Sequence, residues 1–305
     1  MSDNPPRATL IGSLAILLWS TLALFTTQAN AVPPLLLLTL TFCVASVLFF
    51  VVYLVKGELK TSWQQTPKSA ITMGGLGFYS YHLAYFYAFQ HAPPVEAGLI
   101  AYLWPLIIVL MVGLTKGNML SWTHLIGAII AFVGTGIMLH SKDQTVIAND
   151  SAIHWTGYAA AFACALIWSS YSVANRRFQT VPSSAVLWYC LVTALLAGVS
   201  HVALEKQAEP LTLNTWIAIL GLGLGPVGVA FFCWDLGVKK GNLSLLGVLS
   251  YTAPALSTTW LGLFTDAPLT TGQIIACLLI TTGALFASLM PNKKIPLDIT
   301  RTKGI

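Results

Sequence analysis

Of the His, Asp, Glu, Lys and Arg side chains of this 305-residue chain, only His82 falls near the middle of an apolar segment. His91, His124, His140, His154 and His201 fall at the ends of such segments, and no Asp or Glu lies near the middle of one. Asp235 stands about one helical turn before Lys239 and Lys240, Asp266 closes a segment and Glu96 opens one. Catalysis by acid–base, nucleophilic or metal-assisted routes needs two or more such groups at one place. No carboxylate pair, metal-ligand cluster or Ser–His–Asp set assembles at one depth here. The five cysteines (Cys43, Cys164, Cys190, Cys233 and Cys277) have no metal-type spacing and read as reduced packing residues. The expectation is a protein that is not an enzyme, with no catalytic residue, no metal and no cofactor.

What the apolar segments do concentrate is aromatic surface. Residues 78–89 read Phe-Tyr-Ser-Tyr-His-Leu-Ala-Tyr-Phe-Tyr-Ala-Phe, with Tyr81 and Tyr85 on one helical face and His82 beside it. Trp19, Tyr102, Trp104, Trp168 and Tyr251 fall at comparable depth in other segments. Aromatic belts belong at membrane interfaces rather than midway between them, so mid-depth aromatics point to a cavity or to packing between helices. A cavity lined this way suits flat or apolar groups, with hydroxyls supplying orientation. The expected substrate-binding residues are Trp19, Ser20, Tyr81, His82, Tyr85, Tyr102, Trp104, Trp168, Ser169 and Tyr251. His82 reads as a neutral imidazole in a polar pocket, given the cost of charge at that depth, and this favours facilitated transport over proton coupling.

The elements that carry these residues are membrane helices. Hydrophobic residues make up 56% of the chain and charged ones only 8%, where a soluble domain carries about 25%. A helix needs roughly 20 apolar residues to span hydrocarbon, and the uncharged stretches supply ten spans. They are Thr9–Thr27, Pro34–Val55, Ser69–Phe89, Val95–Thr115 and Ser121–His140, then Trp155–Phe178, Ser183–Leu204, Leu213–Val238, Asn242–Thr265 and Thr270–Met290. With a cytoplasmic N-terminus, 13 of the 15 Lys and Arg residues fall on cytoplasmic segments and only Lys142 and Lys206 fall outside. That bias predicts both termini in the cytoplasm. Residues 1–31 imitate a secretory signal, with Ala29-Asn30-Ala31 in a cleavage-like pattern, but the long apolar run argues for retention as the first span.

A repeat at a step of 149 residues organises the spans. Trp19-Ser20 returns as Trp168-Ser169, Pro33 as Pro182, Gly74 as Gly223 and Gly134 as Gly283. Gly98, Tyr102 and Pro105 return together as Gly247, Tyr251 and Pro254. Each half holds five spans, and five is odd, so the second half is inserted upside down. The fold class is all-α integral membrane, ten helices as a 5+5 inverted-topology repeat, which is the architecture of alternating access. The organisation is residues 1–140 as first repeat, 141–153 as linker, 154–292 as second repeat and 293–305 as a basic cytoplasmic tail. Pro105 and Pro254 fall inside their helices, as does Pro226, and each removes a backbone hydrogen bond. The freed carbonyls of Ala101 and Ser250 should then face protein or a cavity, and Gly98, Pro105, Gly247 and Pro254 are expected to be hinges. The basic clusters lie on short loops at membrane ends, so the expected partners are lipid and a small molecule, not nucleic acid.

The ten-helix plan, the segments Leu17-Leu18-Trp19-Ser20 and Leu166-Ile167-Trp168-Ser169, and the Pro-bearing fourth and ninth helices resemble the EamA-type drug/metabolite transporter superfamily. Residues 85–97 and 233–242 are similar to the YddG-type aromatic amino acid exporters within it. The resemblance implies a central cavity bounded by helices 1, 3, 4, 6, 8 and 9, with pairs 3–4 and 8–9 moving. It also implies export of aromatic amino acids, sometimes other amino acids or cationic drugs, from a bacterial cytoplasm across the inner membrane. The expected working unit is a monomer, and the alternative is a proton-coupled or uncoupled exporter of other small metabolites or cationic drugs. The membrane-embedded glutamate of the superfamily's small multidrug members has no counterpart here.

Overall fold

The computed structural model describes residues 5–29, 31–92, 94–114, 122–142, 155–205, 210–253, 255–256, 259–260 and 271–289. Among them there is no strand. The helices are α1 (Pro5–Ser20), α2 (Leu22–Gln28), α3 (Pro34–Val55), α4 (Leu59–Gln65), α5 (Lys68–His91), α6 (Pro94–Ala101), α7 (Trp104–Leu114) and α8 (Trp122–Lys142). The second half supplies α9 (Trp155–Asn175), α10 (Val186–Leu204), α11 (Leu213–Leu222), a π-helical turn (Gly223–Val229), α12 (Ala230–Lys240), α13 (Leu243–Leu249) and α14 (Thr271–Leu289). Five segments of the described chain are long and apolar enough to cross a membrane: Pro5–Thr26, Pro34–Val55, Trp155–Phe178, Ser183–Leu204 and Leu213–Lys240. Their outward faces expose aliphatic side chains such as Val47, Val55, Leu195 and Val199, the surface that lipid solvates. Pro254, Asp266, most of the expected linker, the basic tail and the expected ninth helix past residue 260 lie outside the described residues.

The uncharged stretches predict continuous spans, and four of them are interrupted. The first pauses at Thr21, whose N–H bonds Leu18 O at 3.1 Å. The fourth breaks at Tyr102–Leu103, so Pro105 is not mid-helix but in the first turn of α7, where a missing N–H costs nothing. The eighth widens into the π-turn around Pro226, and the ninth turns at Ser250–Tyr251. The Ser250 carbonyl, expected to be free, accepts from Ala253 N–H at 3.1 Å in a tightened turn. Helix α4 falls in a stretch expected to be loop. It follows a Schellman turn in which Gly57 takes φ +69° and Glu58 N–H reaches Tyr53 O at 2.9 Å.

The helix contacts pair off when the two halves are exchanged. Helix α5 packs on α9 as α12 packs on α1, and α5 packs on α10 as the π-turn packs on α3. Helices α8 and α14, and likewise α3 and α10, meet their own repeat mates. The repeated glycines lie at these crossings. A Cβ on Gly74 would come within 2.3 Å of the Tyr189 ring, one on Gly223 within 2.5 Å of Val44, and one on Gly283 within 2.6 Å of Gly127 O. Gly12 and Gly237 bring α1 and α12 together so closely that a Cβ on Gly237 would stand 2.6 Å from Gly12 Cα. Their repeat mates, Ala161 and Ala88, are both fully buried at the α5–α9 crossing. Small residues let backbones approach, and in lipid that close packing is a main source of helix association.

Two ends of the bundle follow from these contacts. At one end Asn242 N–H bonds Thr9 Oγ1 at 2.9 Å and Trp188 Nε1 bonds Ser62 Oγ at 3.1 Å. This gathers the start of α1, helix α4, the start of α10 and the end of α12 with Lys56, Arg176, Arg177 and Lys240. At the other end the Glu205 carboxylate accepts from Leu35 N–H at 2.8 Å and Leu36 N–H at 3.1 Å, capping the first turn of α3. Gly74→Val is expected to lower thermal stability by about 1–3 kcal/mol through overpacking. Gly225→Ala, where the nearest atom is Leu18 Cδ2 at 3.9 Å, should leave it nearly unchanged. Melting followed by fluorescence-detected size exclusion compares the two.

Candidate functional site

Proline and glycine open the centre of the bundle. Pro226 has no N–H, and in the Gly-rich run 221–228 the α-helical ladder gives way to a π-turn, with Ala230 N–H bonding Gly225 O. The Pro226 carbonyl then accepts from Trp19 Nε1 at 3.0 Å, which fixes the indole of α1 against the π-turn. Across the bundle, the break between α6 and α7 leaves the N–H groups of the α7 first turn without helical acceptors. Leu106 N–H donates to Tyr251 Oη at 3.2 Å, and Ile107 N–H bonds Leu103 O at 2.9 Å. Helix interruptions in a membrane protein are tolerated where protein or a cavity satisfies the backbone, and a cavity of about 340 Å³ lies between these breaks.

Its floor is aromatic and drawn from both halves. Trp19 and its repeat mate Trp168 meet edge to face at 5.9 Å, and Trp104 stands 6.4 Å from each. Phe231, the repeat mate of His82, is 6.0 Å from Trp19 and 6.2 Å from His82. Beneath them Phe78 stacks on Phe231 at 4.4 Å, and Trp234, 1% exposed, lies 5.1 Å from Trp19 while donating to Ser172 Oγ at 3.2 Å. Each such ring pair contributes about 0.5–1.5 kcal/mol beyond area burial, so the floor is rigid. From it the cavity rises past Tyr81, Tyr85, Phe89, Tyr102 and Thr26, towards the end capped by Glu205.

His82 supplies the one titratable imidazole of the wall. Its Nδ1 lies 2.7 Å from Phe78 O. A carbonyl only accepts, so Nδ1 carries the proton, and Nε2 keeps a lone pair as acceptor. The ring packs edge-on to Phe42 at 5.4 Å and to Tyr81 at 5.0 Å. No Asp, Glu, Lys or Arg is among the described residues lining the cavity. The wall therefore offers aromatic faces, phenol and indole donors, one imidazole acceptor and no net charge.

The structure brings together Trp19, Tyr81, His82, Tyr85, Tyr102, Trp104 and Trp168 on this wall, with Gly98 beside them. Ser20, Ser169, Tyr251, Pro105 and Gly247 are not on it. Ser169, fully buried, donates to Ala165 O at 2.7 Å and lies 2.8 Å from Trp104 O. Ser20 accepts from Trp260 Nε1 at 2.8 Å. Tyr251, fully buried, spends its hydroxyl on α7. Gly247 faces the Pro105 carbonyl, 3.1 Å from where its Cβ would stand. The shared Gly–Tyr pair thus serves the cavity in the first half, through Gly98 and Tyr102, and packing in the second, through Gly247 and Tyr251. Ala101 and Ser250, repeat mates flanking the two breaks, both line the cavity. Phe86, Phe89, Phe231 and Thr41 also line it and were not among the expected site residues. The signal for Phe231 was its place opposite His82 in the repeat.

Tyr251→Phe should cost about 1–3 kcal/mol of stability, because Leu106 N–H loses its acceptor. Tyr102→Phe, at the matching position, should leave stability unchanged and alter transport instead. Melting and flux on both variants separate the roles.

The chain is similar to known proteins over nearly its whole length. The model of the EamA-like transporter family matches residues 7–140 and 155–289. The aromatic amino acid exporter YddG of Ancylobacter novellus is 45% identical over 94% of this chain and 98% of its own length. The aromatic amino acid exporter YddG of Escherichia coli is 27% identical, also over 94% of this chain and 98% of its own length. A solved crystal structure superposes with a TM-score of 0.87 at 44% sequence identity, covering 94% of this chain and 98% of that one.

Proposed function

The chain belongs to the EamA-like transporter family, and from that premise we propose that it exports aromatic and other neutral amino acids from a bacterial cytoplasm by alternating access. It is a multi-pass membrane transporter, not an enzyme. The observation that carries the substrate reading is the uncharged aromatic cavity between the two halves. A zwitterion needs no net counter-charge from the wall. Its ammonium and carboxylate each need hydrogen-bond partners, which the His82 imidazole and the tyrosine hydroxyls of the wall offer. Aromatic faces accept a flat side chain, and the cavity's volume is at the small end of ligand pockets. The 45% identical relative from Ancylobacter novellus is an aromatic amino acid exporter, which supports the same substrate class. Trp19, Tyr81, His82, Tyr85, Tyr102, Trp104 and Trp168 form the binding site in this reading, while Ser20, Ser169 and Tyr251 position its walls.

The reading includes ten spans as a 5+5 inverted repeat with both termini cytoplasmic, and repeat units at residues 1–140 and 154–292 joined by 141–153. The paired helix contacts support the repeat, and the charge bias supports the orientation. Gly98, Pro105, Gly247 and Pro254 act as hinges, and one chain in the inner membrane is the working unit. With an uncharged wall and a neutral imidazole, transport is facilitative.

Purified protein in liposomes is expected to give saturable flux of labelled phenylalanine or tryptophan that a pH gradient leaves unchanged. Trp168→Ala is expected to lower flux efficiency at least tenfold while the protein still elutes as a folded monomer. Flux indifferent to every amino acid offered, with competition only from cationic or other metabolites, would replace the substrate class.

A further inference from the structure

A charged cluster lies at the end of the bundle opposite the cavity mouth, and no part of it lines the cavity. Asp235 Oδ2 and Lys239 Nζ stand 2.9 Å apart with both side chains 1% exposed. The Asn175 amide donates to Asp235 Oδ1 at 2.8 Å, and Lys239 Nζ donates to Val181 O at 3.2 Å. These bonds tie α12 to the end of α9 and to the turn that precedes α10. A buried ion pair gains little stability over apolar residues of similar volume, so its presence fits a conformational role better than a stabilising one.

The repeat shows what the opposite end has in its place. Stepping back 149 residues takes Asp235 to Phe86, Lys239 to Gln90, Asn175 to Thr26 and Val181 to Val32. Thr26 and Phe86 line the cavity, so the positions bonded at the basic end form part of the open wall at the other. We propose that Asn175, Asp235, Lys239 and the Val181 carbonyl form a latch that holds the basic end shut, and that this latch has no counterpart at the mouth. The latch rests on the alternating-access reading and on a cytoplasmic basic end.

The chemistry makes the latch reversible. Asp235 and Lys239 sit one turn apart on α12, so parting α12 from α9 breaks the bonds to Asn175 and Val181 without separating the two charges. Tyr171 Oη, Tyr189 Oη and Asn175 Oδ1 are buried with no hydrogen-bond partner among the described residues. Opening hydrates them, which offsets part of the cost of the broken bonds. With a charge-assisted closure at one end and a Thr–Phe pair at the other, the mouth-open conformation is the resting one. Loading from the basic side then scales with the fraction of time the latch is open.

Hydrogen–deuterium exchange on the whole protein in nanodiscs tests this without any substrate. Asn175→Ala removes only the bond from α9, and Asp235→Leu with Lys239→Met removes both charges at similar volume. In each, amides of residues 176–182 and 236–242 should exchange at least threefold faster than in the parent chain. Residues 31–37 and 87–92 at the mouth should stay unchanged or slow. Exchange that does not rise at the basic end, or that rises equally at both ends, overturns the latch. Should the double variant fail to fold, the Asn175→Ala profile decides alone. Absence of amino acid flux in liposomes would sink the substrate assignment and leave this result standing.

Discussion

Hydrocarbon offers no hydrogen bonds, so a backbone in a membrane must satisfy itself or be satisfied by neighbouring protein. Every feature of the central site depends on that constraint. The helix break before Pro105 and the π-turn around Pro226 leave backbone groups unpaired at mid-depth, and the structure answers each locally. Tyr251 accepts from the first turn of α7, and Trp19 bonds the carbonyl exposed by the π-turn. The residues flanking these repairs face a shared space, and that space is the cavity.

Two kinds of small residue then divide the work. Glycine and alanine at repeat-matched positions set the helix crossings, where Gly12 meets Gly237 and Ala88 packs with Ala161. At the crossing points themselves there is no room for a large side chain between α1 and α12 or between α5 and α9. The aromatics are instead gathered above them, where the helices diverge. Packing at the ends and openness at the centre have one cause, which is the placement of side-chain volume along each helix.

Symmetry accounts for the framework and its failure accounts for the chemistry. Trp19 and Trp168 are mates and face one another across the centre. His82 faces Phe231, so an acceptor lies opposite an apolar ring. Tyr102 lines the cavity while Tyr251 is buried as a backbone acceptor. A substrate with distinct ends requires a site with distinct walls, and two equal halves would not supply one.

The sequence by itself determined the class of protein. Composition and the apolar runs dictate a membrane bundle, since only helices or closed barrels satisfy their backbone in lipid. The 149-residue step identified glycines that mark crossings, and the step together with the mid-depth aromatics picked out seven aromatic or imidazole side chains that line the cavity. What it left open was which face each helix turns inward, because hydrophobic residues surround every span and leave no polar stripe to read. Ser20, Ser169 and Tyr251 carry the same repeat signal as Trp19, Trp168 and Tyr102, yet they point into packing. Helix breaks were also hidden, because Pro105 reads alike as a mid-helix kink or as the first turn of a new helix. Only tertiary packing decided these points, since rotation about a helix axis and the satisfaction of a freed N–H both depend on which neighbour is within reach.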